Sequence, residues 1–484
     1  MYIDGVWHAA QSGSSFASYN PFTAEPWATI PEASADDVDH AVTAAQRAFP
    51  GWSKTSATQR GAMLVQLGLE LARHGGELLA VEVRDNGKII SEAAAQLREI
   101  PHWYSYYGGL ADKIQGSVIP TEKPDMLNYT KHEPIGVVAA ITAWNSPLLQ
   151  LSFKLAPALA AGNCVVVKPS EFASASTLEF MKIVESCGFP PGVINVVTGG
   201  RSVGSALVGH PGVGQISFTG SDRTGRHIYE TAARGLKRVS LELGGKSPNI
   251  VFADARLDAA LPGAVSGIFA AAGQSCTAGS RLLVHRSIHD EFVERLVAFA
   301  SSARLGNPSS YETQIGPIAT EQQLRKIGGY IELGRAEGAE CRLGGGYPAS
   351  AERGNGWFVE PTIFSGVTNG MRIAREEIFG PVLSVIPFAD DEEAVAIAND
   401  TEFGLAAGVW TQDIGRAISM IERLQAGTVW VNTYRSISYM APFGGYKSSG
   451  VGRENGRDSI YEYLQTKSAF ISTGGSVANP FIIR

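Results

Sequence analysis

The sequence predicts an α/β protein with more than one domain, and three observations carry that prediction. Short apolar runs alternate with helix-forming stretches from residue 135 to 250, and a second alternating block runs from 250 to 445. The chain has 484 residues, 44% of them hydrophobic, which is enough to bury several cores. Such alternation is typical of parallel sheets with crossover helices, and those sheets bind ligands beyond the carboxyl ends of their strands.

Residues 36–115, before the first block, are predicted to be largely helical. Asp37–Phe49 and Arg60–Asp85 are rich in alanine, leucine, glutamate and arginine, with apolar residues recurring about every 3.6 positions. Residues 118–134 then form two short runs between prolines, a pattern typical of an extended hairpin. A hairpin this short is marginal alone, so we expect it to pair with another strand, and a strand of another subunit is one candidate.

The two alternating blocks give a set of predicted strands. In the first block they are Gly136–Ile141, Asn163–Val167, Val193–Val197, Gln215–Phe218 and Val239–Leu241. In the second they are Arg281–His285, Val382–Ile386 and Gly427–Asn432. The tail, Tyr461–Ile471, ends in a further strand-like run, and no internal repeat is visible.

Composition excludes several classes of function. The net charge is −7 without a basic block, which argues against a nucleic-acid partner. The most apolar region, Val137–Val167, is interrupted by proline, lysine and asparagine, so no membrane span is expected, and no signal peptide is visible. The four cysteines have no metal-binding spacing, so we expect no metal site and a cytoplasmic, reducing location.

Three residues far apart in the sequence suggest acyl chemistry through a covalent thioester. Cys276 lies in the string Gly-Gln-Ser-Cys-Thr, Glu242 in Leu-Glu-Leu-Gly-Gly-Lys, and Asn145 in Trp-Asn-Ser-Pro. A thiol can attack a carbonyl, an amide can hold the resulting oxyanion, and a carboxylate can activate the water that releases the acid. A buried inert cysteine, a helix-capping carboxylate and a turn asparagine are the structural alternatives.

These strings belong to a longer series that carries a family resemblance. Between them and after them stand Val167–Glu171, Phe218–Ser221, Glu376–Pro381 and Pro442–Lys447, in that order along the chain. With this series the chain resembles the aldehyde dehydrogenase superfamily over nearly its full length. The resemblance implies a Rossmann-type cofactor domain, an α/β catalytic domain and a β oligomerisation arm.

The resemblance implies a role for each catalytic candidate. Cys276 matches the nucleophile, Glu242 the general base, and Asn145 the side-chain donor of the oxyanion hole, whose second donor is the backbone N–H of Cys276. Lys154 and Glu454 match positions linked to proton movement from the base, with a structural ion pair as the alternative.

The resemblance also implies NAD as the cofactor. Lys168 and Glu171 match residues at the adenosine ribose, where a carboxylate accepts both hydroxyls and repels a 2′-phosphate. NADP stays open, because Lys168 or Arg223 could partner that phosphate. Gly220 and Ser221 match the pyrophosphate contact, and Glu377 and Phe379 match residues at the nicotinamide ribose and ring. The remaining cofactor-binding predictions are Ile141, Trp144, Ser170 and Leu243.

The substrate tunnel implied by the resemblance is lined by Ser146, Gln150, Phe153, Arg435, Ile437 and Phe443. The family commonly has an aromatic residue where this chain has Ser146, and Phe153 stands where succinate-semialdehyde enzymes carry an arginine. Arg435 could pair with an acidic or polar tail, or could bridge its loop to a neighbour. We expect a bulky aldehyde or semialdehyde, either aromatic or bearing polar or carboxylated groups.

Two other functions remain open at this point, a CoA-acylating relative and a non-catalytic NAD-binding protein on the same fold. The presence of Glu242 argues against the CoA-acylating function. The presence of all three catalytic candidates argues against the non-catalytic one. By resemblance the domains are residues 1–117 and 135–246 for NAD, 247–448 for catalysis, and 118–134 with 449–484 for the oligomerisation arm and tail. The terminal strand is expected to join a partner's sheet in a homodimer or homotetramer.

Overall fold

The chain begins with four short strands that the sequence does not signal. The computed structural model describes residues 1–348, 355–474 and 481. Its first elements are β1 (Tyr2–Ile3), β2 (Val6–Trp7), β3 (Ser15–Asn20) and β4 (Glu25–Pro31). The strands β1 and β2 have two residues each, too few to show an alternating pattern, and β1 folds back on β2 through Gly5, whose φ of +81° favours glycine.

Three helices follow and confirm the predicted helical region. They are α1 (Ala35–Trp52), α2 (Ala57–Asn86) and α3 (Ile90–Leu110). Ser34 and Asp37 form a reciprocal capping box at the start of α1, which satisfies two otherwise free backbone donors. Gly87 ends α2 in a left-handed conformation with φ of +76° and turns the chain directly into α3.

The predicted hairpin strands β5 and β6 come next, and the first block then alternates as predicted. Its elements are β5 (Val118–Ile119), β6 (Met126–Pro134), β7 (Val137–Ile141), α4 (Pro147–Ala160), β8 (Cys164–Lys168), α5 (Ala175–Ser186), β9 (Ile194–Val196), α6 (Arg201–Gly209), β10 (Gln215–Thr219), α7 (Asp222–Arg234) and β11 (Arg238–Glu242).

The second block contains more strands than the sequence indicates. Its elements are β12 (Pro248–Val251), α8 (Leu257–Phe269), β13 (Arg281–His285), α9 (His289–Ala300), α10 (Glu321–Ala336), β14 (Glu340–Leu343), β15 (Thr362–Ser365), α11 (Arg372–Arg375), β16 (Val382–Phe388), α12 (Asp391–Asn399), β17 (Phe403–Gly404), β18 (Ala406–Trp410), α13 (Ile414–Arg423) and β19 (Thr428–Val431). The tail adds β20 (Tyr446–Lys447), β21 (Gly450–Val451), α14 (Ser459–Glu462) and β22 (Leu464–Ser472). The strands β12, β14, β15 and β17 escape prediction because they have four residues or fewer, and β18 escapes it because it is rich in alanine and glycine.

Two large sheets organise the molecule, and the predicted α/β class is confirmed. The first has the order β2-β1-β9-β8-β7-β10-β11-β21, and its central strands β9, β8, β7, β10 and β11 are parallel. The second has the order β14-β15-β16-β13-β12-β18-β19 and is parallel from β15 to β19. The central strands of both sheets are almost wholly buried and mostly apolar, as expected for sheets covered on both faces.

The predicted hairpin is present, and its partner is a strand of the same chain. β5 and β6 pair antiparallel, and β22 pairs with β6 over nine positions from Leu464–Pro134 to Ser472–Met126. The sheet order β22-β6-β5 leaves β22 at an edge. The terminal strand therefore joins its own chain's hairpin, and only its outer edge is available to another subunit.

Candidate active site

The carboxyl ends of four neighbouring strands meet at one edge of the first sheet. In register across β8, β7, β10 and β11, Lys168 lies beside Ile141, Ile141 beside Phe218, and Thr219 beside Glu242. Parallel strands present their carboxyl ends on the same side, so residues from distant motifs come together there. Three of the predicted site residues, Ile141, Lys168 and Glu242, lie at this edge.

A strained turn presents Cys276. After α8 the chain passes through Ala271, Ala272 and Gly273, with φ values of 52°, 52° and 71°. A left-handed conformation is costly for alanine and persists only where its surroundings hold it. Here the Glu92 carboxylate accepts the Ala271 N–H at 2.9 and 3.0 Å, and a side chain on Gly273 would collide with the Gly380 carbonyl.

The environment of Cys276 keeps its thiol protonated. Burial first, then the nearby carboxylates of Glu242 and Glu377, raise the pKa of the thiol to about 12, while backbone N–H groups of Thr277 and Cys276 lower it. None of the causes of this shift is a nearby cation. The thiol must therefore lose its proton before or while it attacks.

Glu242 is a buried carboxyl group whose oxygens have no protein partner among the described residues. It is 4% exposed, and burial followed by the charge of Glu454 raises its pKa well above the ordinary value, against the opposing effect of Lys154 and Arg453. The Glu242 carboxyl fits beside Gly444 because that residue has no side chain: an added Cβ there would lie 2.8 Å from Glu242 Oε1. A buried carboxyl with free oxygens can bind and deprotonate a water molecule.

Lys154 and Glu454 form a buried ion pair behind this carboxyl. Lys154 Nζ donates to Glu454 Oε1 and, at 2.8 Å, to Thr219 Oγ1. The two charged side chains are 0% and 2% exposed. Phe443 and Glu454 exchange backbone hydrogen bonds of 2.7 Å, which fixes the tail segment against the site. The tail therefore supplies a site residue.

Asn145 is held in one orientation by Gln150. Gln150 Oε1 accepts the Ala143 N–H at 2.7 Å, so its amide nitrogen faces the other way and donates to Asn145 Oδ1 at 2.7 Å. Asn145 Nδ2 consequently points toward the Cys276 loop, where it donates to the Gln274 carbonyl at 2.9 Å. Gln150, which the resemblance assigns to the tunnel, also positions the oxyanion donor.

One cavity of about 280 Å³ joins these groups. Cys276, Glu242, Asn145 and Glu454 line it, together with all the predicted tunnel residues, Ser146, Gln150, Phe153, Arg435, Ile437 and Phe443. Phe153 stacks on Trp103 with ring centroids 5.2 Å apart, which makes one wall aromatic. Their contact with substrate stays a prediction, but their convergence on the thiol is a property of the fold.

The residues predicted to hold the nicotinamide side of a cofactor lie next to the thiol. Glu377 Oε1 accepts the Gly245 N–H at 2.9 Å, and the absence of a side chain on Gly244 lets this carboxylate approach. Phe379 has φ of 59° and meets the Trp144 ring edge-on at 5.3 Å. Leu243 is buried against Gly225 at the base of α7.

The residues predicted for the adenosine side lie at the ends of β8 and β10. Lys168 is buried, its Nζ lies 3.4 Å from Glu171 Oε2, and burial lowers its pKa. Ser170 is also buried, whereas Glu171 remains partly exposed. Gly220 precedes Ser221, which caps α7, so the free N–H groups of that helix face the same edge. A side chain on Gly220 would strike the Phe218 ring.

The sequence interpretation missed several residues that line the cavity or contact its lining. Lys88, in the turn after α2, donates to Gln96 and Ser146, and Gln96 and Glu99 line the cavity from α3. The helical spacing of Gln96 and Glu99 carries no motif, and nothing in the local sequence shows that α3 packs beside the Cys276 loop.

Among the described ranges, no group of three or more His, Cys, Asp or Glu side chains is arranged to hold a metal ion. No described helix is long and apolar enough to cross a membrane.

Comparison with known proteins identifies the family. The aldehyde dehydrogenase family model matches residues 7–469, and the chain belongs to that family. A dehydrogenase of (Z)-2-((N-methylformamido)methylene)-5-hydroxybutyrolactone from Acinetobacter baylyi is 45% identical over 490 aligned positions, covering 100% of this chain and 99% of the relative. Betaine aldehyde dehydrogenase from Bacillus subtilis is 43% identical, covering 99% of each chain.

The solved structures agree with this assignment. Betaine aldehyde dehydrogenase from Staphylococcus aureus, crystallised in complex with NAD+, superposes with a TM-score of 0.98 at 40% identity, covering 99% of this chain and 96% of that one. A Burkholderia cenocepacia structure described as a putative aldehyde dehydrogenase gives 0.97 at 44% identity, covering 99% and 98%. The predicted aldehyde dehydrogenase-like fold is confirmed.

Proposed function

We propose that this protein oxidises an aldehyde to a carboxylic acid with NAD, through a thioester on Cys276. The observation that carries the proposal is the single cavity onto which a thiol, an oriented amide and an unpaired carboxyl group converge. Family membership supports it, as do relatives named for aldehyde oxidation and a solved relative that holds NAD+.

The first half of the reaction uses Cys276 and Asn145. The sulfur adds to the aldehyde carbon as its proton passes to a water molecule in the cavity, and the carbonyl oxygen becomes an oxyanion. Asn145 Nδ2 and the backbone N–H of Cys276 are the donors we assign to that oxyanion. Gln150 fixes the amide beforehand, so little reorganisation is needed when charge develops.

The cofactor is assigned to the edge where Lys168, Glu171, Ser221, Glu377 and Phe379 lie. The residues fit the group: a carboxylate beside a lysine for the ribose, helix N–H groups for the pyrophosphate, and a glycine pair that leaves room beside Glu377. The nicotinamide, when bound, supplies the acceptor for the hydride that leaves the substrate carbon. Glu171 favours NAD over NADP, because it would repel a 2′-phosphate.

The second half releases the acid from Cys276. Glu242 accepts a proton from a water molecule, which attacks the thioester carbon and frees the thiol. The raised pKa of the carboxyl suits a base that must collect and then release a proton. Behind it, Lys154 and Glu454 are in place to pass that proton onward.

The cavity favours a bulky aldehyde, aromatic or bearing polar or carboxylated groups. Trp103 and Phe153 supply a stacked aromatic wall, and Ser146 leaves room where the family commonly has a ring. Arg435 lines the same cavity and is available to an acidic tail. The oxygen-rich compound in the name of the Acinetobacter relative is consistent with such a substrate.

A simple assay tests the proposed function. We expect benzaldehyde and hexanal to give NADH and one equivalent of acid, with kcat/KM about tenfold higher for NAD than for NADP. The reaction should need no CoA, because Glu242 can deprotonate water. NADH formation only in the presence of CoA would establish the acylating alternative, and no reduced cofactor with any aldehyde would establish the non-catalytic one.

We also propose a homo-oligomer in which residues 118–134 and the C-terminal strand form the contact arm. Phe470 and Ile471 on the edge strand β22 and Val118 on β5 are exposed, a liability that a second subunit would remove. Light scattering should give twice or four times the chain mass of 51.4 kDa, and a single chain mass would contradict the proposal.

We further propose one domain at 1–117 with 135–246 and a second at 247–448, which together surround the cavity. The four unpaired cysteines fit a reducing compartment, and we propose the cytoplasm as the location.

A further inference from the structure

Lys88 is a buried lysine whose hydrogen bonds go to two side chains of the cavity wall. It is 7% exposed, and its Nζ donates to Gln96 Oε1 and to Ser146 Oγ, each at 2.6 Å. Burial lowers the pKa of Lys88, and the nearby carboxylates of Glu82 and Glu92 partly oppose that shift. An ammonium group has only donors, so whatever touches it must present an acceptor.

This constraint fixes the orientation of the Gln96 amide. Its oxygen must face Lys88, so its NH2 group faces away, and no protein acceptor for that NH2 occurs in the described parts of the chain. Gln96 lines the cavity that holds Cys276. Ser146 cannot take the same role, because its hydroxyl already donates to the Asn145 carbonyl at 2.7 Å.

Arg435 adds a second donor group nearby. Its guanidinium is close enough to Lys88 for the two charges to interact, and it lines the cavity. Its Nη1 donates a long hydrogen bond of 3.4 Å to the Ser266 carbonyl, and no carboxylate of the described residues lies within ion-pair distance. A guanidinium has five N–H donors and no acceptor, so most of its capacity is free.

We infer that Gln96 and Arg435 form a donor-only subsite for an oxygen-bearing acceptor on the substrate, a carboxylate or an amide carbonyl, with Lys88 as the residue that positions Gln96. The inference rests on the proposed function and specifies its substrate class. Glu99, one turn further along α3, is a carboxylate on the same wall. The acceptor group must therefore bind on the Gln96 side of the cavity.

Three para-substituted benzaldehydes test the subsite, with carboxylate, carboxamide and methyl groups as the substituents. We expect the wild type to favour the first two over the methyl compound in kcat/KM. Gln96→Glu keeps the bond to Lys88 but replaces the donor with an acceptor, and should lower both ratios about tenfold or more, chiefly through KM. Arg435→Ala should lower the carboxylate ratio more than the carboxamide ratio.

Lys88 has its own test as a positioning residue. Lys88→Met frees the Gln96 amide to turn and should lower both ratios, whereas Lys88→Arg, which keeps the donors, should restore them. Gln322→Glu, an exposed glutamine-to-glutamate change on α10, is the matched control and should leave all three substrates unaffected.

The outcomes separate the two claims. Ratios unchanged in Gln96→Glu and Arg435→Ala, in enzyme that still oxidises the methyl compound, would overturn the subsite and leave the proposed function standing. If only the ratio for the carboxylate compound falls, the subsite binds an anionic tail. If the ratios for the carboxylate and the carboxamide compounds both fall, it binds a neutral or an anionic acceptor. No activity of the wild type on any of the three would instead count against the proposed function.

Discussion

Cys276→Ala is expected to abolish aldehyde oxidation. Removing a covalent nucleophile typically costs on the order of 10⁵- to 10⁶-fold in rate, because the remaining groups have no thioester to form or hydrolyse. The fold should survive, since the Cys276 loop is held by the Glu92–Ala271 bonds and by the Asn145–Gln274 bond, neither of which involves the sulfur. The measurement is steady-state NADH formation with benzaldehyde, at protein concentrations that reveal a small residual rate.

Cys341→Ala is the matched control for this loss. Cys341 lies on the edge strand β14, and its sulfur contacts the carbonyls of Leu343 and Gly344. It lines no wall of the Cys276 cavity. We expect near-wild-type activity from it, and comparable losses in the two variants would indicate a general effect of removing thiols.

Glu242→Gln is expected to separate the two halves of the reaction. A general base typically contributes about 10²- to 10⁴-fold, or about 2.7–5.4 kcal/mol of barrier, and here that contribution belongs to thioester hydrolysis. Rapid mixing should therefore show a burst of NADH close to one equivalent per active site, followed by a steady state slower by that factor. The loss of one carboxylate beside Cys276 also removes a group that raises the thiol pKa, so the first half should not be slowed by the change in charge.

An exposed glutamate on α9 provides the control. Glu294→Gln makes the same chemical change far from the cavity and should preserve both phases. If Glu242→Gln slowed the burst as much as the steady state, Glu242 would be acting on Cys276 rather than on water, and the assigned role would be wrong.

Much of the framework can be read from the sequence, and particular residues show where that reading stops. The ends of β7, β8, β10 and β11 follow from apolar runs, and parallel strands bring their motifs to one edge. Ala271 and Ala272 are different, because alanine gives no sign of a left-handed backbone. That conformation arises from Glu92 on another helix, a contact between residues far apart in sequence.

The hydrogen bonds of the cavity wall could not be predicted from the sequence either. Ser146 stands out because the family commonly has an aromatic residue there, but its partner Lys88 lies 58 positions away in a turn between helices. Gln96 is an unremarkable polar residue of a helix until Lys88 fixes its amide. A hydrogen-bond orientation depends on which groups meet in space, and no local pattern encodes it.

The most direct test is the mass of the enzyme during turnover. Glu242→Gln protein mixed with NAD and benzaldehyde, quenched in acid and digested, should carry one benzoyl group on the peptide containing Cys276. That adduct should be absent without NAD and absent from a Cys276→Ala, Glu242→Gln double variant. An unmodified Cys276 peptide in protein that has formed a full equivalent of NADH would contradict the thioester pathway.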